Sequence, residues 1–68
     1  MTNSELLRQV IDDSGLKRYY LANQLGLTYP GLLKKINNES EFKASEITAI
    51  CEILGINNSL REKIFFAG

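Results

Sequence analysis

Few side chains in this sequence are equipped for chemistry. The 68 residues include no histidine and a single cysteine, Cys51. Without histidine the usual general base is missing, and so is any Ser-His or Cys-His pair that would generate a nucleophile. One cysteine excludes an internal disulfide, and zinc sites built on histidine or paired cysteines are excluded with it. Carboxylates remain, but Asp12 and Asp13 are adjacent and run into Ser14 and Gly15, which is the pattern of a solvated helix end and not of an acid/base pair. No enzyme activity, small-molecule substrate, metal or other cofactor is expected.

What remains is charge. Eight basic and eight acidic residues cancel overall, but their distribution is uneven. Residues 1–16 carry Arg8 against Glu5, Asp12 and Asp13, a net of −2. Residues 17–43 carry Lys17, Arg18, Lys34, Lys35 and Lys43 against Glu39 and Glu41, a net of +3. Residues 44–68 carry Arg61 and Lys63 against Glu46, Glu52 and Glu62, a net of −1. An anionic partner would therefore meet the middle third. Nucleic-acid binders usually carry a basic excess, so neutrality predicts few ion contacts and modest affinity.

The elements that must position these cations read as five short helices. A chain of 68 residues forms one domain, and 44% apolar with 24% charged residues is globular composition that argues against disorder. No apolar run approaches a membrane span and no signal peptide opens the chain, so a cytoplasmic location is expected. Leu6, Leu7, Val10 and Ile11 share one helical face, with Thr2 and Glu5 spaced as a capping box and Gly15 as a stop. Lys17–Leu25 reads as a second helix, with Tyr20, Leu21, Ala22 and Leu25 on its buried side; of Tyr19 and Tyr20, one is expected exposed and one buried. Gly26 ends that helix, and Thr28 is a good N-cap for a third, with Pro30 in its first turn, where a missing N–H costs nothing. Leu32 and Ile36 point inward and Asn37-Asn38 closes the helix.

Phe42 and Ile47 are spaced as a hydrophobic staple around a fourth helix, whose start the staple fixes because Lys43 is a poor cap. Ile47, Ile50, Cys51 and Leu54 make its inner face, which leaves Cys51 a small core residue. Ser59 and Glu62 suggest a capping box for a fifth helix carrying Leu60, Ile64 and Phe65. No alternating period is present, so no sheet is expected. A short turn containing glycine between two helices is the signature of a helix-turn-helix corner.

The segment from Lys17 to Asn38 resembles the helix-turn-helix of the lambda-repressor/Cro superfamily. The resemblance rests on Leu21-Ala22 within the second helix, Leu25-Gly26-Leu27-Thr28 at the turn, and Gly31-Leu32, Ile36 and Asn37 in the third. Ala22 is small where the helices cross, Gly26 takes a backbone angle that side chains resist, and Leu27 and Leu32 fill the angle between the helices. The ending Lys63-Ile64-Phe65-Phe66-Ala67 is also similar to that of short phage-encoded regulators of Gram-positive bacteria.

The resemblance implies an all-α bundle of five helices over residues 1–68, with the helix-turn-helix at about 17–37. It also implies sequence-specific binding of double-stranded DNA by a phage-type Cro/repressor-like transcriptional regulator. The third helix would enter the major groove while the second crosses the phosphate backbone. Thr28, Tyr29, Pro30, Leu33 and an outward Lys34 would then read bases. Where many relatives have glutamine and serine at the first two places, this chain has Tyr29 and Pro30, so base preference does not transfer. Lys17, Arg18, Lys35, Asn37 and Lys43 would hold phosphates, helped by the helix N-termini at Thr28 and Lys43. Such modules generally pair as two-fold homodimers, and Ile64, Phe65 and Phe66 are the expected contact, with Phe66 either in that contact or closing over the core. The alternative on the same scaffold is an antitoxin-like or anti-repressor-like subunit whose Tyr29–Leu33 face binds protein.

Overall fold

A computed structural model of the chain describes residues 1–66 and consists of α1 (Ser4–Ser14), α2 (Arg18–Gln24), α3 (Tyr29–Ile36), α4 (Ala44–Leu54) and α5 (Asn58–Phe65). No strand occurs among the described residues, and the expected all-α helix-turn-helix bundle is what forms. Ala67, part of the C-terminal resemblance, lies outside the described residues.

Four of the five helices start where a polar side chain satisfies a free amide, though not always the one the sequence suggests; α2, which begins after Lys17, has no such side-chain bond. Asn3, and not Thr2, caps α1: its Oδ1 accepts from the Leu6 N–H at 3.1 Å. Thr2 is used elsewhere, its N–H donating to Asn38 Oδ1 and its carbonyl accepting from Asn38 Nδ2. Asn57, and not Ser59, caps α5, accepting from the Leu60 N–H at 2.8 Å. The serine/threonine-to-glutamate spacing is thus a decoy at both places, because an asparagine within one or two residues is an equally good cap.

At α4 burial on both sides of the cap fits the staple spacing, and a carboxylate bonds the cap's amide. Phe42 and Ile47 are both buried on either side of Lys43, and the Glu46 carboxylate accepts from the Lys43 N–H at 2.8 Å. Glu46 is itself only 8% exposed.

The core draws on every helix. Leu7 and Ile11 of α1, Leu21 and Ala22 of α2, Leu32 and Ile36 of α3, Ile47, Ile50 and Cys51 of α4, and Ile64 and Phe65 of α5 form one cluster with Phe42 and Ile56. A fully buried leucine or isoleucine contributes about 1.5–3 kcal/mol. Seven residues are buried to that degree, Ile64 among them, and a domain this small has no second core to fall back on. Phe42 and Phe65 meet edge to face at 5.5 Å and 82°.

Two sequence expectations are corrected here. Ile64 and Phe65 face the core at 0% and 4% exposure, so neither is available for a contact between subunits. Only Phe66 is displayed, half-exposed, with the Arg61 guanidinium 5.2 Å above its ring. Tyr20 does not pack into the core either: Tyr19 and Tyr20 are both exposed, because Leu21, Ala22 and the half-buried Leu25 already complete the inner side of α2.

Cys51 is buried as expected. Burial pushes its thiol pKa up, against the nearby Arg61 charge; a thiol kept protonated in this way is a poor nucleophile.

Candidate nucleic-acid interface

The turn from α2 into α3 is built from backbone hydrogen bonds. The Gly26 N–H donates to the Asn23 carbonyl at 3.1 Å and the Leu27 N–H to the Ala22 carbonyl at 2.9 Å, the paired bonds of a Schellman C-cap. That arrangement needs a left-handed residue, and Gly26 has φ +69°. Leu27 follows, packed against the core, and Thr28 then starts α3 with its Oγ1 accepting from the Gly31 N–H at 3.1 Å. Gly31 has its own reason to lack a side chain: a Cβ there would lie 2.8 Å from Thr28 Oγ1.

The orientation of α3 follows from its period of about 100° per residue. Leu32 and Ile36 are fully or nearly fully buried, which turns Pro30 and Lys34 to the opposite, exposed side. Tyr29 and Leu33 lie on one shoulder and are half-buried; Gly31 and Lys35 lie on the other. Leu33, half-buried, is therefore less displayed than its sequence position suggests. At about 1.5 Å per residue the eight residues of α3 are about 12 Å long, a length that fits a major groove of about 12 Å.

The cations divide into displayed and engaged groups. Lys17, at the cap of α2, Lys34 on α3 and Lys43 at the cap of α4 are exposed. Arg18 is half-buried and pairs with Asp12 across the α1–α2 corner at 3.0 Å. Lys35 is not on the open face. Its ammonium lies 3.2 Å from Glu46 and donates to the Glu41 carbonyl at 2.9 Å, with both ionic side chains at least 87% covered. Burial by itself would raise the Glu46 pKa, but the Lys43 N–H and the Lys35 charge outweigh it and hold the carboxyl below its ordinary value. The expectation that Lys35 holds a phosphate is therefore corrected: it ties α3 to α4.

Asn37 is exposed and accepts a hydrogen bond from Arg8 Nη2. This brings a cation from α1, in the acidic first segment of the sequence, to the end of α3. Asn38, left-handed at φ 65°, holds Thr2 and Ser4. No periodicity signals these long-range polar ties. The only hint in the sequence is an Asn-Asn pair at a helix end, where asparagine tolerates φ > 0. At the other end, Tyr19 of α2 stacks on Tyr29 of α3 with centroids 4.1 Å apart and planes within 5°.

Two helices joined by a glycine corner, the second with a displayed polar face and cations at its margins, define a helix-turn-helix DNA-binding module. Comparison with family models matches residues 6–59 to the Cro/C1-type HTH DNA-binding domain. The chain belongs to that family, a non-enzymatic one, and is a DNA-binding protein of the transcription-regulator type. No curated protein and no solved structure matches it. Among the described residues no helix is long and apolar enough to cross a membrane.

Proposed function

We propose that this protein is a sequence-specific double-stranded DNA binder of the phage Cro/repressor kind, acting in the cytoplasm as a homodimer. The observation that carries the reading is the face of α3 opposite Leu32 and Ile36, where Pro30 and Lys34 stand clear of the protein. With α3 in the major groove, Lys34 reaches a guanine edge or a phosphate, and the Tyr29 hydroxyl can donate to or accept from a base edge. Leu33 offers its uncovered side to a thymine methyl. Thr28 and Pro30 bring the helix start close to the duplex. Phosphates on either side meet Lys17, Lys43, Asn37 with Arg8, and the amides at the start of α4. Arg18 joins them by exchanging Asp12 for phosphate, a small cost because exposed ion pairs are worth little.

A single module binds DNA weakly, and two-fold pairing on half-sites one helical turn apart supplies the rest. The shallow groove that Phe66 lines with Met1, Glu41 and Phe42 is the surface for that pairing.

The test is a mobility-shift series at low salt with wild type, Lys34→Ala and Lys17→Ala on a random-sequence duplex. Wild type shifts and both variants weaken. If neither wild type nor variant shifts any duplex, the protein-binding reading of the Tyr29–Leu33 face takes its place. Sedimentation at high concentration checks the dimer, which fails if the protein remains a monomer.

A further inference from the structure

Tyr29 opens α3 and is half-buried, but the stacked ring that covers one of its faces does not belong to the core. That ring is Tyr19, in the first turn of α2 and 69% exposed. The rings are nearly parallel with centroids 4.1 Å apart. With ring planes at an ordinary contact of about 3.5 Å, that distance leaves them slipped past one another by about 2 Å. This offset arrangement is the favoured one for two π systems, whose like-charged faces repel when eclipsed.

A tyrosine at the first position of a helix, without a neighbour on its ring, would ordinarily sample several rotamers. With one face covered by Tyr19, the Tyr29 ring has one plane and its hydroxyl one direction. From this geometry we infer that Tyr19 is a positioning residue for base selection: it fixes the Tyr29 hydroxyl before DNA arrives and so sets which duplexes the protein prefers. The inference rests on the reading of α3 as the helix that enters the groove. The two residues are ten apart in sequence, and it is the corner at Gly26 that superimposes them. The stack makes α2 a contributor to recognition through a side chain that need not touch a base.

The aromatic ring of Tyr19, and not its hydroxyl, carries this role, so phenylalanine should replace it and alanine should not. A duplex enriched from a random library by the wild-type protein serves as one probe and an unselected duplex of the same length as the other. Tyr19→Ala should lower the ratio of affinities for the two probes by roughly three- to tenfold, the range expected for one aromatic pair, and Tyr19→Phe should preserve it. In a Tyr29→Ala background, Tyr19→Ala should change the ratio no further. In the free protein, the NMR signals of the Tyr29 ring should lose their ring-current displacement in Tyr19→Ala and keep it in Tyr19→Phe.

Because Tyr19 is mostly exposed, its removal should cost the fold no more than the stack itself, a fall in Tm of at most about 12 °C, and binding measured well below both melts then reports preference and not folding. A ratio unchanged by Tyr19→Ala, in a wild type that does select, overturns the inference and leaves the DNA reading standing. An effect of equal size in the Tyr29→Ala background also overturns it, since Tyr19 would then act on DNA directly. If the wild type enriches no duplex, the sequence-specific reading itself fails and this inference with it.

Discussion

Replacing Glu46 by glutamine removes one charge from the joint between α3 and α4 while leaving its shape in place. The amide oxygen of the new side chain can still accept from the Lys43 N–H, so the start of α4 keeps its hydrogen bond. What is lost is the partner of Lys35, 3.2 Å away and 13% exposed. At that distance, with an effective dielectric of about 20, the gross attraction is about 5 kcal/mol. Desolvating both ions offsets most of it, but removing one leaves the other covered and unpaired, which costs about 3–5 kcal/mol in a fully buried pair. Lys35 retains the Glu41 carbonyl and some solvent, so about 2 kcal/mol is expected for Glu46→Gln, below the fully buried case. In a domain of this size that lowers Tm by roughly 8–16 °C.

Thermal melts followed by circular dichroism at neutral pH would measure this. Lys35→Met should be destabilising as well, and the double variant should recover about 2 kcal/mol relative to the sum of the singles. The pH dependence has a definite sign. The Glu46 carboxyl is held below its ordinary value of 4.5 in the folded protein. Its contribution is therefore complete above that value and is lost as the pH falls through the lower, folded one. The gap in Tm between wild type and Glu46→Gln should narrow from neutral pH to about pH 3. A glutamine variant that melts within about 3 °C of wild type, or a double variant that is simply the sum of its parts, would refute the account of this joint.

Gly26→Ala should cost about 1–2 kcal/mol, read as a lower Tm: nothing within 4 Å obstructs the new methyl, so the left-handed φ is the whole expense. Ile64→Ala should cost about 2–5 kcal/mol and largely unfold the protein, whereas Phe66→Ala should leave the melt almost unchanged and weaken self-association in sedimentation. Equal effects of the two would contradict the assignment of core and surface on either side of the α5 C-terminus. Lys34→Ala should reduce the slope of log affinity against log salt by about 0.9 if it neutralises a phosphate. An unchanged slope with altered sequence preference would place it on a base edge instead.

The fold is legible in the sequence because its signals are local. Helical spacing picks out Leu7, Ile11, Leu32, Ile36, Ile47 and Ile50, and the chemistry of Gly26, Thr28 and Pro30 locates the corner. The caps at Asn3 and Asn57 escape such a reading because two acceptable oxygens stand within one or two residues of each other, and only tertiary contacts such as Thr2 with Asn38 decide between them. At the site, Lys34 and Lys35 are indistinguishable by type, and they diverge because a turn of about 100° puts the second beside Glu46. Ile64 and Phe65 look like surplus apolar surface in the sequence because helical spacing shows that α5 has an apolar side but not which distant elements pack against it. Phe42 and α1 supply that packing.

The helix that carries Lys34 is moored at both ends: to α2 by one aromatic stack, and to the chain's second and fourth residues, α1 and α4 by polar ties. If α3 is the helix that docks, as proposed, it has little freedom to shift, and the adjustment falls to the duplex. Preference among sites should then track how readily particular base steps bend or narrow, even at steps no side chain reaches.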